Sequence, residues 1–361
     1  MNRKTRISTA LTSLGLAMAM LAGCASGQAA ASGPSASPTH DDLAELHLGY
    51  FATVTHTPAL IGLQEGLIQK ELGATQLKTE VFNAGPAAIE ALTAGAIDAA
   101  YIGPNPAINS FIKSGGASVR VIAGATSGGA ALVVRDGITS AADLKGKTLA
   151  TPQLGNTQDV ALRTWLSSKG LKTSVTGGGD VTITPTENAQ TLTLFKNGQV
   201  DGAWVPEPWA SRLVVEAGGH VLQDERDLWP GGTFPTTVLL VSKDFADKHP
   251  GAVKELVAGH LDSLDWIAKH KTELPGAVND ALKAATGKPL SDAVLTKALS
   301  TVSFSADPNA KAFATLVKNG VTAGTQTKGS IDGLFDLTAL NAALKERDEA
   351  AVDDGGLGTK K

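Results

Sequence analysis

Two stretches about a hundred residues apart constrain this chain more than any single motif. Gly95-Ala96-Ile97-Asp98-Ala99-Ala100-Tyr101-Ile102 and Gly198-Gln199-Val200-Asp201-Gly202-Ala203-Trp204-Val205 align in register. Each follows a helical pattern, begins with the glycine that ends such a helix, and runs apolar, aspartate, small, alanine, aromatic, β-branched. Each then enters a proline-rich loop, Gly103-Pro104-Asn105-Pro106 or Pro206-Glu207-Pro208-Trp209. A βα unit written twice points to two related α/β lobes. The length agrees, because 361 residues with 42% hydrophobic content is long for one compact domain and ample for a core.

The alternation extends to both sides. Strand-like runs fall at 46–50, 76–82, 97–102, 119–123 and 130–134, then at 147–151, 181–185, 200–205 and 237–242. Helical patterns cover 58–72, 86–94, 157–168 and 189–196. Val253, Leu256, Val257, Leu261, Leu264 and Ile267 form an apolar helix face, and 293–299, 310–318 and 337–345 read as further helices.

The N-terminus reads as an address. Arg3, Lys4 and Arg6 precede an apolar run at 11–21, too short to span a bilayer comfortably. The run ends in Leu21-Ala22-Gly23-Cys24, which resembles the bacterial lipobox and implies a signal peptide over 1–23 and a lipid on Cys24. Residues 24–44, rich in Ala, Ser, Gly and Pro, suit a flexible tether, and 346–361 a flexible tail. Cys24 is the sole cysteine, so intrachain disulfides and cysteine zinc sites are excluded. The formal charge of -4, or -7 without residues 1–23, argues against a nucleic-acid partner. GxSxG, HExxH and P-loop patterns are absent, and the seven histidines show no metal spacing, so neither enzyme chemistry nor a cofactor is expected.

The expected binding chemistry lies at helix starts. In open α/β sheets ligands sit beyond the carboxyl ends of strands. There this sequence places Thr55-His56-Thr57 before Pro58, Asn83-Ala84-Gly85 before Pro86, and Asn105 before Pro106. It also places Gly155-Asn156-Thr157 ahead of Gln158 and Asp159, and Glu187-Asn188 before Ala189. Such starts carry unpaired N–H groups and the positive end of the helix dipole, which suit an anion. Ser127-Gly128-Gly129 reads either as a further set of N–H donors or as a plain turn. Trp204, Pro206, Pro208 and Trp209 are candidate walls for an organic group; Trp209, in the loop, is the better candidate, whereas Trp204, within the strand, suits core. His56 reads as a donor or a structural residue, and Glu207 as a helix cap or an inter-lobe partner. Arg163 and Arg212 are expected to be exposed, and Asp98 and Asp201 to be structural.

Several of these stretches carry a family resemblance: Phe82-Asn83-Ala84-Gly85-Pro86, 95–98, 101–106, 128–134, 155–159, 188–192 and 204–209. From about residue 46 to 267 the chain resembles the solute-binding lipoproteins of ABC importers in the nitrate/sulfonate/taurine class, most closely the aliphatic sulfonate binders. The resemblance implies a type II periplasmic-binding fold, α/β, with two lobes of mixed sheet joined by two crossover strands. Lobe 1 would be 45–134 plus 236–345 and lobe 2 138–232, with crossovers near 135–137 and 231–235. Binding positions carry onto Thr55, Gly85, Asn105, Gly128, Asn156, Thr157, Asn188 and Trp209. The implied ligand is a small organic anion, an aliphatic sulfonate, held between the lobes and delivered to a permease and its ATPase. The protein would act as a monomer, lipid-anchored on the extracytoplasmic face of the cell membrane. Nitrate or a pyrimidine-type heterocycle is the alternative cargo.

Overall fold

The computed structural model describes residues 43–359; the expected signal peptide, the lipid on Cys24 and the tether as far as residue 42 lie outside the described residues. Two mixed sheets organise the chain. Strands β1 (Glu45–Tyr50), β2 (Gln76–Val81), β3 (Ala99–Ile102) and β4 (Val119–Gly128) build the first. Strands β5 (Ala130–Val134), β6 (Thr148–Thr151), β7 (Thr182–Pro185), β8 (Gly202–Pro206) and β9 (His220–Asp224) build the second. The chain then returns to the first sheet with β10 (Pro235–Ser242) and β11 (Val302–Phe304). The orders are β11-β4-β10-β3-β1-β2 and β7-β6-β8-β5-β9.

The sequence repeat reappears as a repeated topology. β2-β1-β3-β10 in one sheet matches β7-β6-β8-β5 in the other, with the first three strands parallel and the fourth antiparallel. The paired aspartates do equivalent work. Asp98 Oδ2 accepts the His47 N–H at 2.8 Å and Asp201 Oδ2 accepts the Thr148 N–H at 2.9 Å, each fixing the start of a neighbouring strand. Side chains alternate across the second sheet as strand geometry requires. Leu132, Leu149 and Trp204 pack on one face with Leu162 and Trp165, while Val133, Ala150 and Val205 pack on the other with Leu192 and Phe195.

The first crossover lies at Gly128-Gly129, not at 135–137, so residues 130–134 belong to the second sheet rather than the first. Both strands are largely apolar runs, and two consecutive glycines make the turn between them, Gly128 ending β4 and Gly129 following it. Their φ angles of 79° and 74° turn the chain from one sheet into the other, a conformation that glycine adopts without strain. The second crossover, at 233–234, runs beside it. The Gly128 N–H donates to the Phe234 carbonyl (3.3 Å), the Phe234 N–H to Ser127 Oγ (3.1 Å), and the Thr236 hydroxyl to the Gly128 carbonyl.

Other differences are local. The helix expected over 58–72 is divided at Gly66 (φ 67°) into Thr57–Gln64 and Leu67–Leu72. The proline-rich loop after β3 is itself the start of a helix, Pro104–Lys113, because proline fits a first turn. The 346–361 segment is not free through Thr359: Val352 N–H donates to Asn341 Oδ1, Phe335 N–H to the Leu357 carbonyl, and Thr359 N–H to the Phe335 carbonyl.

Candidate functional site

The six parallel strands end at one place. A cleft between the lobes is lined by residues that follow β1 (Phe51, Thr53, Thr55, His56), β2 (Asn83), β3 (Gly103), β6 (Asn156, Gln158) and β7 (Asn188), with Pro206 ending β8 and Thr236 in β10. Its volume is about 20 Å³, room for a water molecule or two as the lobes stand. A larger guest would need the two walls to stand further apart than they do here.

The lining is polar and without a formal charge. It contains no Lys, Arg, Asp or Glu. His56 is its one titratable side chain, and burial pushes its pKa down to about 3 against a smaller upward pull from the Tyr101 carbonyl, so the ring is neutral at physiological pH. Its Nδ1 lies 3.0 Å from Thr53 Oγ1 and 3.3 Å from Thr55 Oγ1, its ring centroid lies 4.4 Å from that of Phe51 at a tilt of 32°, and Nε2 has no hydrogen-bond partner.

Five helix starts contribute to this lining or back it. They belong to the helix beginning at Thr57 with its preceding turn Val54–His56, and to Gly85–Thr93, Pro104–Lys113, Thr157–Ser168 and Asn188–Lys196. None has a side-chain cap, although Ser242 and Ser291 do cap helices elsewhere. Other helices also start uncapped; what distinguishes these five is that residues at their starts converge from two lobes. Asn156, in the N-cap position, spends its side chain otherwise. Oδ1 accepts the Gly85 N–H of the other lobe at 3.4 Å, and Nδ2 donates to Gln158 Oε1 at 2.9 Å. Asn188 Oδ1 is buried without a partner. Helix starts from both lobes thus border a small space without formal charge; of their N–H groups, those of Thr55, His56 and Thr57 bond to the Glu207, Thr53 and Val54 carbonyls and that of Gly85 to Asn156.

Of the expected positions, Thr55, His56, Asn83, Asn156, Gln158 and Asn188 line the cleft, and Gly85 stands behind Asn156. The rest lie elsewhere. Asn105 and Thr157 border a second inter-lobe cavity. Ser127 and Gly128 bind the crossover strands together and border a surface groove beside Arg226. Trp209 is half-buried in a broad flanking groove with Phe82, Leu192, Leu282 and Leu290, which adjoins the cleft through Thr53, Asn83 and Asn188. Arg212 stacks 4.7 Å above the Trp209 ring and pairs with Glu216. Arg163 is buried rather than exposed: its Nε donates to Asp159 Oδ2 at 3.0 Å, and that oxygen also accepts the Gly155 N–H, which fixes the loop before Asn156.

Glu207 fills both roles open to it. It accepts the Ser211 N–H (3.0 Å) and hydroxyl (2.9 Å), holding the first turn of the Trp209–Ala217 helix. Thr301 Oγ1 of the other lobe stands 3.4 Å away, and 2.9 Å from the Ala298 carbonyl oxygen. Burial raises the Glu207 pKa, and the Ser211 bonds oppose that. Pro206, expected among the walls for an organic group, lines the cleft, whereas Pro208 lies in the flanking groove with Trp209. Phe51, Thr53, Gly103 and Thr236 line the cleft without having been singled out; Phe51 and Gly103 directly follow strands and Thr53 lies in the loop after β1, the one signal that would have found them.

This fold, two related lobes with a cleft at their strand ends, is that of the periplasmic binding proteins. A solved structure of the alkanesulfonate-binding protein of Xanthomonas axonopodis pv. citri, bound to MOPS, superposes with a TM-score of 0.66 at 21% identity, covering 79% of this chain and 95% of that one. The chain belongs to the NMT1-like family, whose model matches residues 40–277. Among its relatives are a binding protein of Brucella abortus, 28% identical over 59% of this chain and 64% of that protein, and the taurine-binding periplasmic protein of Escherichia coli, 29% identical over 57% and 62%. The matches thus cover a little under two thirds of those relatives' lengths.

Proposed function

We propose that this chain is the extracytoplasmic solute-binding receptor of an ABC importer. It takes a small organic anion, an aliphatic sulfonate, between its lobes and delivers it to a permease driven by an ATPase. Binding rather than catalysis is its task, and a lipid on Cys24 holds it at the membrane as a monomer. The observation that carries the reading is the convergence of uncapped helix starts from both lobes on a cleft with no carboxylate in its lining. Hydrogen bonds to a charged group contribute about 1.5–3 kcal/mol each, so four or five offset association costs and leave the roughly -8 kcal/mol of a micromolar complex.

Sulfonate binding by the similar proteins supports the cargo, and the flanking groove at Trp209 gives an organic substituent an apolar surface beside the cleft. Closure follows from the anion's stronger contacts with the closed form, where both lobes donate at once. A neutral heterocycle gains less, because one aromatic residue, Phe51, and one neutral histidine are the only rings in the lining. Calorimetric titration of the protein with butanesulfonate, taurine, nitrate, sulfate and uracil tests the reading. Saturable one-to-one binding of a sulfonate is expected, and silence toward every anion refutes it.

A further inference from the structure

A second cavity lies between the lobes, with a chemistry opposite to that of the cleft. It encloses about 210 Å³, room for a small organic molecule rather than one water. Asn105, Thr315, Leu316 and Asn319 of the first lobe face Thr157, Val160, Thr164 and Trp165 of the second, and Glu225 and Trp229 close it from the segment before the second crossover.

Three features of the walls ask for a hydrogen-bond donor with positive charge. The first is Glu225, 2% exposed and the only ionisable residue in the lining. Its Oε2 accepts the Trp204 indole N–H at 2.8 Å, and Trp229 is its other side-chain partner. Among the described residues no Lys, Arg or His is within ion-pair distance of it. A buried carboxylate without a cation is costly, and a positively charged donor in the cavity would favour its ionised form.

The second is Asn105, also 2% exposed. Its Nδ2 donates to the Leu316 carbonyl at 3.4 Å, which identifies the other atom as the oxygen, and that Oδ1 is a buried acceptor with no donor. Thr157 Oγ1, buried across the cavity, is unpartnered as well. The third is aromatic surface. Trp165 and Trp229 supply ring faces, and Lys169, outside the lining, already rests 5.7 Å from the Trp165 ring.

We propose that this cavity is a binding site for a small organic ammonium group, which donates to Glu225 and Asn105 and lies against Trp165 and Trp229. The site does not depend on the anion reading. Its walls belong to both lobes, so an occupant strengthens the closed arrangement; if the cleft binds an anion, each ligand tightens the other. The ammonium is that of a free amine.

The full chain is titrated with ethylammonium and ethanesulfonate, each alone and together. Ethylammonium binds one-to-one, ethanesulfonate tightens it, and Glu225→Gln weakens it at least tenfold while ethanesulfonate affinity stays within threefold. Asn105→Ala, which keeps the carboxylate and both rings and removes an acceptor, gives a second variant should the first fail to fold; it too must weaken the ammonium. No saturable ethylammonium binding, or binding that neither variant weakens, overturns the proposal. Ethylammonium binding without any anion binding upholds this site and fails the anion reading instead.

Discussion

Asn156→Asp places a carboxylate in the cleft with almost no change of shape. Asn156 precedes the Thr157–Ser168 helix, and its side chain lies between the lobes, 3.4 Å from the Gly85 N–H. An anion bound by the surrounding helix starts would sit about 5 Å from the new charge, where an effective dielectric constant of about 20 gives a repulsion of about 3 kcal/mol, more than a hundredfold in affinity. Some stability is lost, because Asn156 is buried, does not cap the helix and would give up its Nδ2 bond to Gln158. Titration with butanesulfonate at pH 8, where the carboxylate is ionised, should show the loss of affinity, while a cooperative thermal transition above the titration temperature shows that the variant is folded. Asn156→Ser, which keeps a capping residue without charge, should stay within about tenfold. Affinity within threefold of the parent in a folded Asn156→Asp protein would show that the anion does not bind in this cleft.

Three further outcomes are expected. Gly128→Ala should destabilise by at least about 2 kcal/mol in urea, since a left-handed conformation alone costs about 1–2 kcal/mol and the new Cβ would stand 2.5 Å from the Thr301 carbonyl oxygen; Gly146→Ala, equally left-handed but in open space, should cost less. Arg163→Leu should cost about 3–5 kcal/mol, because it strands Asp159 without a cation in the interior; a loss under 1 kcal/mol would contradict the pairing. Stability should peak near pH 6.5. Burial pushes His56 and His260 down to about 3 and about 4, so unfolding takes up two protons below the ordinary 6.5 and stability falls on acidification. Glu225, raised by burial to about 7, acts oppositely: its stabilisation is complete below 4.5 and is lost as pH rises through 7. Glu207, also raised by burial, joins Glu225 just above pH 4.5, so the two histidines leave a net loss of at most about 1.4 kcal/mol per unit between pH 6.5 and 4.5. Urea midpoints that rise continuously down to pH 5 would refute this.

Much of the architecture was legible because the duplicated unit fixes hydrogen bonds as well as pattern. Asp98 and Asp201 each bond back to the start of the neighbouring parallel strand, and that requirement is written in the sequence. The crossover was misplaced because 119–128 and 130–134 are both apolar runs; nothing in their composition says that a two-glycine turn sends them to different sheets. β9 and β11 were missed because their exposed or half-buried residues lack clean alternation. Cleft residues that precede helices were readable from the prolines, glycines and asparagines around them. Asn105 and Thr157 follow the same local rule yet face the second cavity, since direction depends on how the two lobes meet. Arg163 looked like a surface residue because the buried partner that holds it, Asp159, is one turn away and was read as part of the loop motif.

The absence of lysine and arginine from the cleft has a consequence for capture itself. No counterions wait there to be displaced, so the constant for uptake should change little between dilute and salty surroundings. Each guest then adds its full negative charge to an already acidic particle. Discharge cannot rely on a rival ion prising the guest from a fixed positive group. It follows from pulling the two walls apart, which halves the donors and leaves water to do the rest.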